Sequence, residues 1–261
     1  MLPDVQSAAA ADNAAALPAA GIRRLRLPVC FHDADGSSQH TVASAAAWAA
    51  VPASQRGAHM SRLAVQLLKL CPKLAAAQLP EFATELAAAM EAQAAGVRLD
   101  FPLFITKSAP LSGAAGLVDF DASIKVQHPD GQLWLRIAVP VTMLCPCSKE
   151  VAERGAHSQR AVFEFAATVA ANQPPPGLVA LATRIEQHAS APLFAVLKRV
   201  DEKAVTEAAY DHPRFAEDAA RLIGGDIGGD STFADWKIRV INRESIHNHD
   251  VFAIAGKNCG G

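Results

Sequence analysis

The stretch LVDFDASIKVQHPDGQLWLRIAVPVTML, residues 117–144, contains two strand patterns joined by a turn. Residues 117–127 and 132–144 are rich in apolar and β-branched side chains, which favour β-strands. The intervening HPDG sequence, residues 128–131, is typical of a tight turn, because proline fixes φ and glycine accepts a positive φ. The stretch therefore predicts neighbouring antiparallel strands in the middle of the chain.

On the amino-terminal side of this turn, the pattern predicts two strands, two helices and two further strands. The strands are expected over residues 22–31, 40–51, 97–105 and 117–127. Apolar residues recur at helical spacing over residues 60–71, and the stripe stops before a proline. The second helix is expected over residues 81–95, with Gly96 as its left-handed cap.

The carboxyl-terminal side repeats the same order of elements. Strands are expected over residues 132–144, 160–170, 236–242 and 249–255, and helices around residues 178–185 and 215–223. The glycines at positions 224, 225, 228 and 229 are expected to end the second of these helices.

The duplicated order predicts an α+β protein of two ββααββ modules, with antiparallel sheets and helices on one face. We expect a flexible Ala-rich tail over residues 1–21, a first module over residues 22–130 and a second module over residues 131–261. The second module contains most of the candidate catalytic residues. Since a single module would leave open sheet edges, we also expect a symmetric homo-oligomer.

The composition argues against several classes of protein. The 261 residues carry 24 basic and 26 acidic side chains, so no general positive field attracts nucleic acid or an anionic membrane. No apolar run approaches the roughly 20 residues that span a bilayer. The five cysteines are too sparse for a disulfide framework, which favours a soluble protein in the reducing cytoplasm.

The densest cluster of reactive side chains is TMLCPCSKE, residues 142–150, with His157 shortly after it. Cys145, Cys147, Lys149 and His157 suit either a Cys/His metal site or a reactive thiolate. The alternative is that both cysteines are buried as small apolar side chains, as free cysteine often is. The polar residues around them favour an accessible loop.

Three further clusters have both a functional and a structural interpretation. NRESIHNHD, residues 242–250, is either a strand that turns a histidine pair towards a pocket or a polar hairpin. The acidic side chains of residues 201–218 are either functional or a solvated helix face. Arg56, His59 and Arg62 lie where a loop enters the first helix, and they are candidates for binding an anion.

Five motifs occur in register over about residues 22–255: VPASQRGAHMSRL, TMLCPCSKE, GAHSQR, LKRVDEKAVTEAAYDHPRFAED and ESIHNHDVFA. They resemble the motifs of the type IB GTP cyclohydrolases, the prokaryotic enzymes that begin folate biosynthesis. The resemblance implies a tunnelling fold in a homotetramer with active sites at subunit interfaces. It also implies conversion of GTP and water to 7,8-dihydroneopterin triphosphate and formate, with a divalent manganese, iron or zinc ion.

The resemblance implies roles for the side chains at matching positions. Cys145 and His157 are similar to metal ligands of the family, and Glu202 and His247 to its remaining ligands. A thiolate, an imidazole and a carboxylate suit a borderline divalent ion, which would activate water for attack on the C8 carbon of guanine. Cys147 is expected beside the metal.

The later steps and the binding of GTP need further groups. Glu244, His247 and His249 are candidates for the proton transfers that follow ring opening. Glu217 is expected to accept two hydrogen bonds from the guanine edge, with Glu207 as its competitor. The basic side chains expected around the triphosphate are Arg56, His59, Arg62, Lys149, Arg160 and Lys203.

Two other functions stay open at the level of the sequence. One is a nitrile reductase of the same fold, which acts on a 7-deazaguanine through a thioimide and NADPH; loss of activity with EDTA would argue against it. The other is a noncatalytic, metal-stabilised assembly module. In such a module, protein side chains would fill every coordination position of the metal, and GTP would not protect the protein against thermal unfolding.

Overall fold

Within residues 15–258, which the computed structural model describes, eight strands form one sheet whose strand order follows the chain. The strands are β1 (Leu17–His32), β2 (Ser38–Val51), β3 (Ala95–Ser108), β4 (Ala115–His128), β5 (Leu133–Leu144), β6 (Ser158–Val169), β7 (Phe233–Asn242) and β8 (Val251–Gly256). The helices are α1 (Met60–Leu68), α2 (Leu79–Ala89), α3 (Pro146–Val151), α4 (Leu178–Glu186), α5 (Arg199–Asp211) and α6 (Ala216–Ile227), with a 3-10 turn over Ala76–Gln78. The predicted α+β class is confirmed.

The predicted turn between β4 and β5 is present. Gly131 has a φ of +62°, and its N–H donates to the carbonyl oxygen of Gln127 at 2.8 Å. The pairs β1–β2, β2–β3, β6–β7 and β7–β8 are all antiparallel. These strands therefore follow the hairpin order that their sequence patterns predict.

The described chain divides into two compact units, and the first contains residues 15–102, 123–135 and 171–175. Buried and more exposed side chains alternate along β2, as expected for a strand with one covered face. α1 packs on β1 and β2, and its buried residues are Leu63 and Leu67. Apolar spacing thus places this helix as predicted.

The second unit contains residues 103–122, 136–170 and 176–258. α6 packs on β7 and β8 with Ile223 and Ile227 fully buried. The rings of Phe165 on β6 and Phe233 on β7 meet edge to face, with centroids 5.4 Å apart. This unit contains the end of β5 and the start of β6, where the candidate site lies.

The second helix and its cap differ from the prediction. α2 ends at Ala89, about six residues earlier than expected. Gly96 lies in β3 instead of capping a helix, and a Cβ atom there would come 2.3 Å from Cζ2 of Trp48. The close approach of this indole ring from the paired strand, and not a helix end, is what requires the glycine.

Other boundaries also change. α6 continues through Gly224 and Gly225 to Ile227, and of the four glycines expected to end it, Gly228 and Gly229 follow its last residue. α3 is additional to the helices predicted for this half, and α5 forms where a solvated helix was one interpretation of the acidic residues. Residues 17–21, expected to end the tail, instead begin β1, whereas residues 1–14 and 259–261 lie outside the described residues.

Among residues 15–258, no helix combines the length and apolar character needed to cross a bilayer.

Candidate functional site

Cys145 stands where β5 gives way to α3. Its backbone is extended, with φ −73° and ψ 120°, and Pro146 occupies the first helical position, where a missing N–H has no cost. The N–H of Ser148 donates to Cys145 Sγ at 3.5 Å, and Ser148 Oγ donates to the carbonyl oxygen of Cys145 at 3.1 Å. The sulfur is thus held at a helix start and is only partly buried, which contradicts the buried-core alternative.

His157 is joined to this turn through its backbone. The N–H of Cys145 donates to the carbonyl oxygen of His157 at 3.1 Å. The N–H of His157 donates to Ser148 Oγ at 3.1 Å. Three residues that are up to twelve positions apart therefore form one corner, which we call the Cys145 corner (Cys145, Ser148 and His157).

The ring of His157 has a defined orientation. Its Nδ1 lies 2.9 Å from Oε1 of Gln159, and an amide oxygen only accepts hydrogen bonds, so Nδ1 carries the proton. Gln159 Nε2 in turn donates to Glu244 Oε1 at 3.4 Å, and Ser245 Oγ lies 3.3 Å from His157 Nδ1. The lone pair of the imidazole is consequently on Nε2.

Sequence reasoning gave no role to Ser148 or Gln159. Gln159 is buried near the start of β6, and His157 lies two residues earlier, immediately before the strand; extended backbone at this spacing turns two side chains to the same side. That alternation was the available signal for Gln159.

The NRESIHNHD segment is a polar hairpin, and the strand interpretation is wrong. Residues 243–250 connect the antiparallel strands β7 and β8 without strand structure of their own. The exposed rings of His247 and His249 stack, with centroids 5.2 Å apart and planes 18° apart. Glu244 is partly buried through its contact with Gln159.

The other predicted acidic residues are exposed in the single chain. Glu202 and Glu207 lie on the solvated side of α5, and Lys203 pairs with Glu207 at 3.1 Å. Glu217 lies in the first turn of α6, also exposed. Within one subunit, these acidic side chains therefore form a solvated helix face, which was one of the two interpretations of the sequence.

Asp201, beside Glu202, is the exception because its side chain is fully buried. Burial alone raises the pKa of this carboxyl group, but hydrogen bonds from Ser112, Lys198 and Leu111 outweigh it and lower the pKa below its usual range. The ionised carboxylate therefore ties the start of α5 to the loop between β3 and β4.

The predicted basic residues fall into two groups. Lys149 in α3 donates to the carbonyl oxygen of Tyr210 at 2.6 Å and lies 4.1 Å from the ring centroid of Tyr210. Arg160 is exposed on β6. Arg56, His59 and Arg62 belong to the first unit, where Arg62 Nη1 lies 3.4 Å from Glu91 Oε1.

The donors of the Cys145 corner fit a divalent metal ion in kind. A cysteine sulfur and a histidine Nε2, with the other ring nitrogen held by a hydrogen bond, are the ligand types that borderline divalent ions prefer. Within residues 15–258 of one chain, however, no three His, Cys, Asp or Glu side chains come together as a metal-binding group. Glu202 and His247 are not gathered with Cys145 and His157.

Comparison with known proteins covers almost the whole chain. The family model described as type I GTP cyclohydrolase folE2 matches residues 2–253. GTP cyclohydrolase FolE2 of Dichelobacter nodosus is 40% identical over 255 residues, which is 97% of this chain and 96% of the relative. GTP cyclohydrolase FolE2 of Halorhodospira halophila is 38% identical over 239 residues, 90% of each chain.

A solved structure supports the fold independently of sequence. The crystal structure of a hyper-thermostable AgUricase mutant matches with a TM-score of 0.50 at 8% identity, over 94% of this chain and 93% of that one. At so low an identity the likeness concerns the fold alone, and it agrees with the predicted tunnelling fold.

Proposed function

Because the chain belongs to the type I GTP cyclohydrolase FolE2 family, we propose that it hydrolyses GTP to 7,8-dihydroneopterin triphosphate and formate, the first step of folate biosynthesis. The family model and the curated relatives confirm the family resemblance found in the five motifs. The finer assignment to the type IB branch, with cleavage of a cyclic amidine C–N bond, is part of the proposal.

The observation that carries this function is the backbone hydrogen bond of 3.1 Å between Cys145 and His157. It brings together the TMLCPCSKE and GAHSQR motifs, which contain the thiol and the imidazole that would hold a divalent ion. When bound there, the metal supplies Lewis-acid activation of water for attack on guanine C8.

The remaining residues orient the substrate and move protons. Glu217 accepts hydrogen bonds from N1–H and the 2-amino group of guanine, and Glu207 is the competing candidate. His247, His249 and Glu244 exchange protons with the ring nitrogens during loss of formate and closure of the new ring. Histidine suits these transfers because imidazole changes charge near neutral pH.

Each active site is proposed to lie at an interface between subunits of a homotetramer. One chain provides Cys145 and His157 as a pair, while Glu202 is exposed on α5 and His247 is exposed in the β7–β8 hairpin. Exposed side chains of this kind are available to complete a ligand set across an interface. Cys147 is proposed to lie beside the metal.

The metal is proposed to be manganese, iron or zinc. A set of sulfur, nitrogen and carboxylate ligands accepts all three ions, so the availability of each metal in the cell decides which one is bound. We further propose that the enzyme works in the cytoplasm, where thiols such as Cys145 stay reduced.

Formate release tests the proposed function. Purified protein supplied with Mn²⁺ is expected to release formate from GTP and to give a fluorescent pterin after oxidation, and EDTA is expected to abolish both signals. The absence of formate with manganese, iron and zinc alike would refute the function. Reduction of a 7-deazaguanine nitrile with NADPH, insensitive to EDTA, would favour the nitrile reductase instead.

A further inference from the structure

Arg214, in the segment between α5 and α6, has a buried side-chain donor without a partner. Its Nε atom is inaccessible to solvent and makes no hydrogen bond to any residue that the structure describes. An unsatisfied donor on a charged group is costly, since it has lost water and gained nothing in exchange. A buried donor without a partner in a folded protein calls for an explanation, such as a ligand that it binds or strain in the local structure.

Arg214 lines a cavity of about 300 Å³ in the second unit. The cavity is bounded by the end of α4, the segment of residues 189–192 and the end of α5. Its volume lies at the lower end of the range in which proteins bind small molecules.

The wall of this cavity carries an uncompensated positive charge. Glu186 is the acidic residue among the described lining residues, and its carboxylate is already paired with Lys107. Burial raises the pKa of Glu186, and the hydrogen bond and charge of Lys107 act in the opposite direction. His212 also lines the cavity, and its Nδ1 donates to the carbonyl oxygen of Ala208 at 2.8 Å.

The cavity adjoins the Cys145 corner through a single residue. The N–H of Arg214 donates to the carbonyl oxygen of Leu144 at 3.0 Å. The N–H of Leu144 donates to Oγ of Ser190, another lining residue, at 3.0 Å. Both backbone groups of the residue that precedes Cys145 are therefore held by the cavity wall.

We propose that Arg214, with Ser190 and His212, forms a phosphate-binding subsite that receives the triphosphate of the nucleotide substrate. The inference rests on the proposed function for the source of the phosphate groups. A guanidinium binds phosphate oxygens through parallel charge-assisted hydrogen bonds. Ser190 Oγ accepts from Leu144, and a hydroxyl that accepts a hydrogen bond still carries one hydrogen that it can donate to a phosphate oxygen.

This subsite revises the expected set of triphosphate contacts. Lys149 donates to the carbonyl oxygen of Tyr210, and Lys203 pairs with Glu207. Arg214 is partly buried and its Nε lacks a partner, whereas each lysine already has one, so Arg214 is better prepared for a phosphate group than either lysine.

Arg214→Gln tests the subsite, with Arg221→Gln as the matched control. Arg221 is exposed on α6 and lies 3.7 Å from Asp218, so its loss removes the same charge away from the cavity. Arg214→Gln is expected to raise the KM for GTP about tenfold to a hundredfold with little change in kcat. A change of this size is expected from the loss of one or two charge-assisted hydrogen bonds to the phosphate groups. Arg221→Gln is expected to leave both unchanged.

Binding of inorganic tripolyphosphate and of guanosine to the full-length, metal-loaded protein separates the phosphate groups from the base. Tripolyphosphate is expected to bind wild type and to bind Arg214→Gln about tenfold or more weakly, with metal content constant throughout. Guanosine, which has no phosphate, is expected to bind both proteins equally. Equal weakening of both ligands, or no tripolyphosphate binding by wild type, would overturn the subsite.

Arg214→Lys provides the same test if the glutamine variant does not fold. It retains the charge without the planar fork, so weaker tripolyphosphate binding at an unchanged circular dichroism spectrum is expected. Wild-type affinity in that variant and an unchanged KM for GTP would refute the role of Arg214. Failure of wild type to release formate would refute the proposed function alone, because tripolyphosphate binding is measured without turnover.

Discussion

The Cys145 corner and the hairpin of residues 243–250 both contain reactive side chains of the second unit, but they are held differently. Backbone hydrogen bonds fix the corner, including Cys145 N–H to His157 O at 3.1 Å. The hairpin contacts the corner through side chains, from Gln159 to Glu244 at 3.4 Å and from Ser245 to His157 at 3.3 Å. Its histidines stack on each other in solvent.

The difference assigns separate tasks to the two regions. Preorganised donors suit a metal ion, because ligands that need no rearrangement lose little entropy on binding. Exposed histidines on a hairpin suit proton transfer once substrate or a partner subunit covers them. Substitutions in the corner should therefore change metal binding, whereas substitution of a hairpin residue outside the proposed ligand set, such as His249, should change turnover.

The largest effect is expected from Cys145→Ala. Loss of the sulfur ligand should reduce formate release to background and remove the bound metal, while the oligomeric state and circular dichroism spectrum stay unchanged. Elemental analysis and size-exclusion chromatography provide the readouts. Full activity in this variant would show that the ligand set is misplaced.

His249→Gln sharpens the comparison from the other side. Removal of a proton-transfer group should lower kcat about a hundredfold or more and leave the metal content at the wild-type value. A variant that instead loses its metal would place His249 itself among the ligands, beside His247.

Gln159→Leu tests how the two regions are coupled. The leucine cannot hold Nδ1 of His157, so the affinity for the metal should fall about tenfold to a hundredfold, as for other partners of ligating histidines. Titration of metal-depleted protein with Co²⁺, followed by its visible absorption, measures this affinity without turnover. Gln159→Glu accepts the same hydrogen bond and should restore most of the affinity.

A smaller effect concerns Asp201, which supports α5. Its pKa is lowered in the folded protein, so its contribution to stability is present above the unfolded value near 3.8 and is lost as the pH falls below it. Asp201→Asn should lower the thermal midpoint at neutral pH and reduce the further loss of stability on acidification. Asp121→Asn, at an exposed position on β4, should change neither.

Local patterns predicted the strands well because alternation depends on neighbours in sequence. The HPDG turn and the apolar stripe of α1 were found for the same reason. Gly96 was misinterpreted as a helix cap, since the ring that requires it belongs to Trp48 on another strand. The sequence indicated α5 only as one interpretation of its acidic residues and gave no bounds, because the segment is polar on average. Its buried anchor, Asp201, has a partner at Ser112, 89 residues away.

The sequence predicted the reactive groups of the candidate site but not the residues that hold them in place. Thiol and imidazole can be named from residue type, and their motifs pointed to Cys145 and His157. Ser148 and Arg214 act through backbone atoms of distant residues, which no sequence pattern reports. The hairpin form of residues 243–250 was one of two interpretations that polar composition alone could not separate.

Anomalous diffraction from crystals of the metal-loaded protein tests the central claim most directly. With zinc bound, the account predicts an anomalous peak about 2.3 Å from Cys145 Sγ and about 2.0–2.1 Å from His157 Nε2. A peak at another site, with neither atom in contact with the metal, would contradict it.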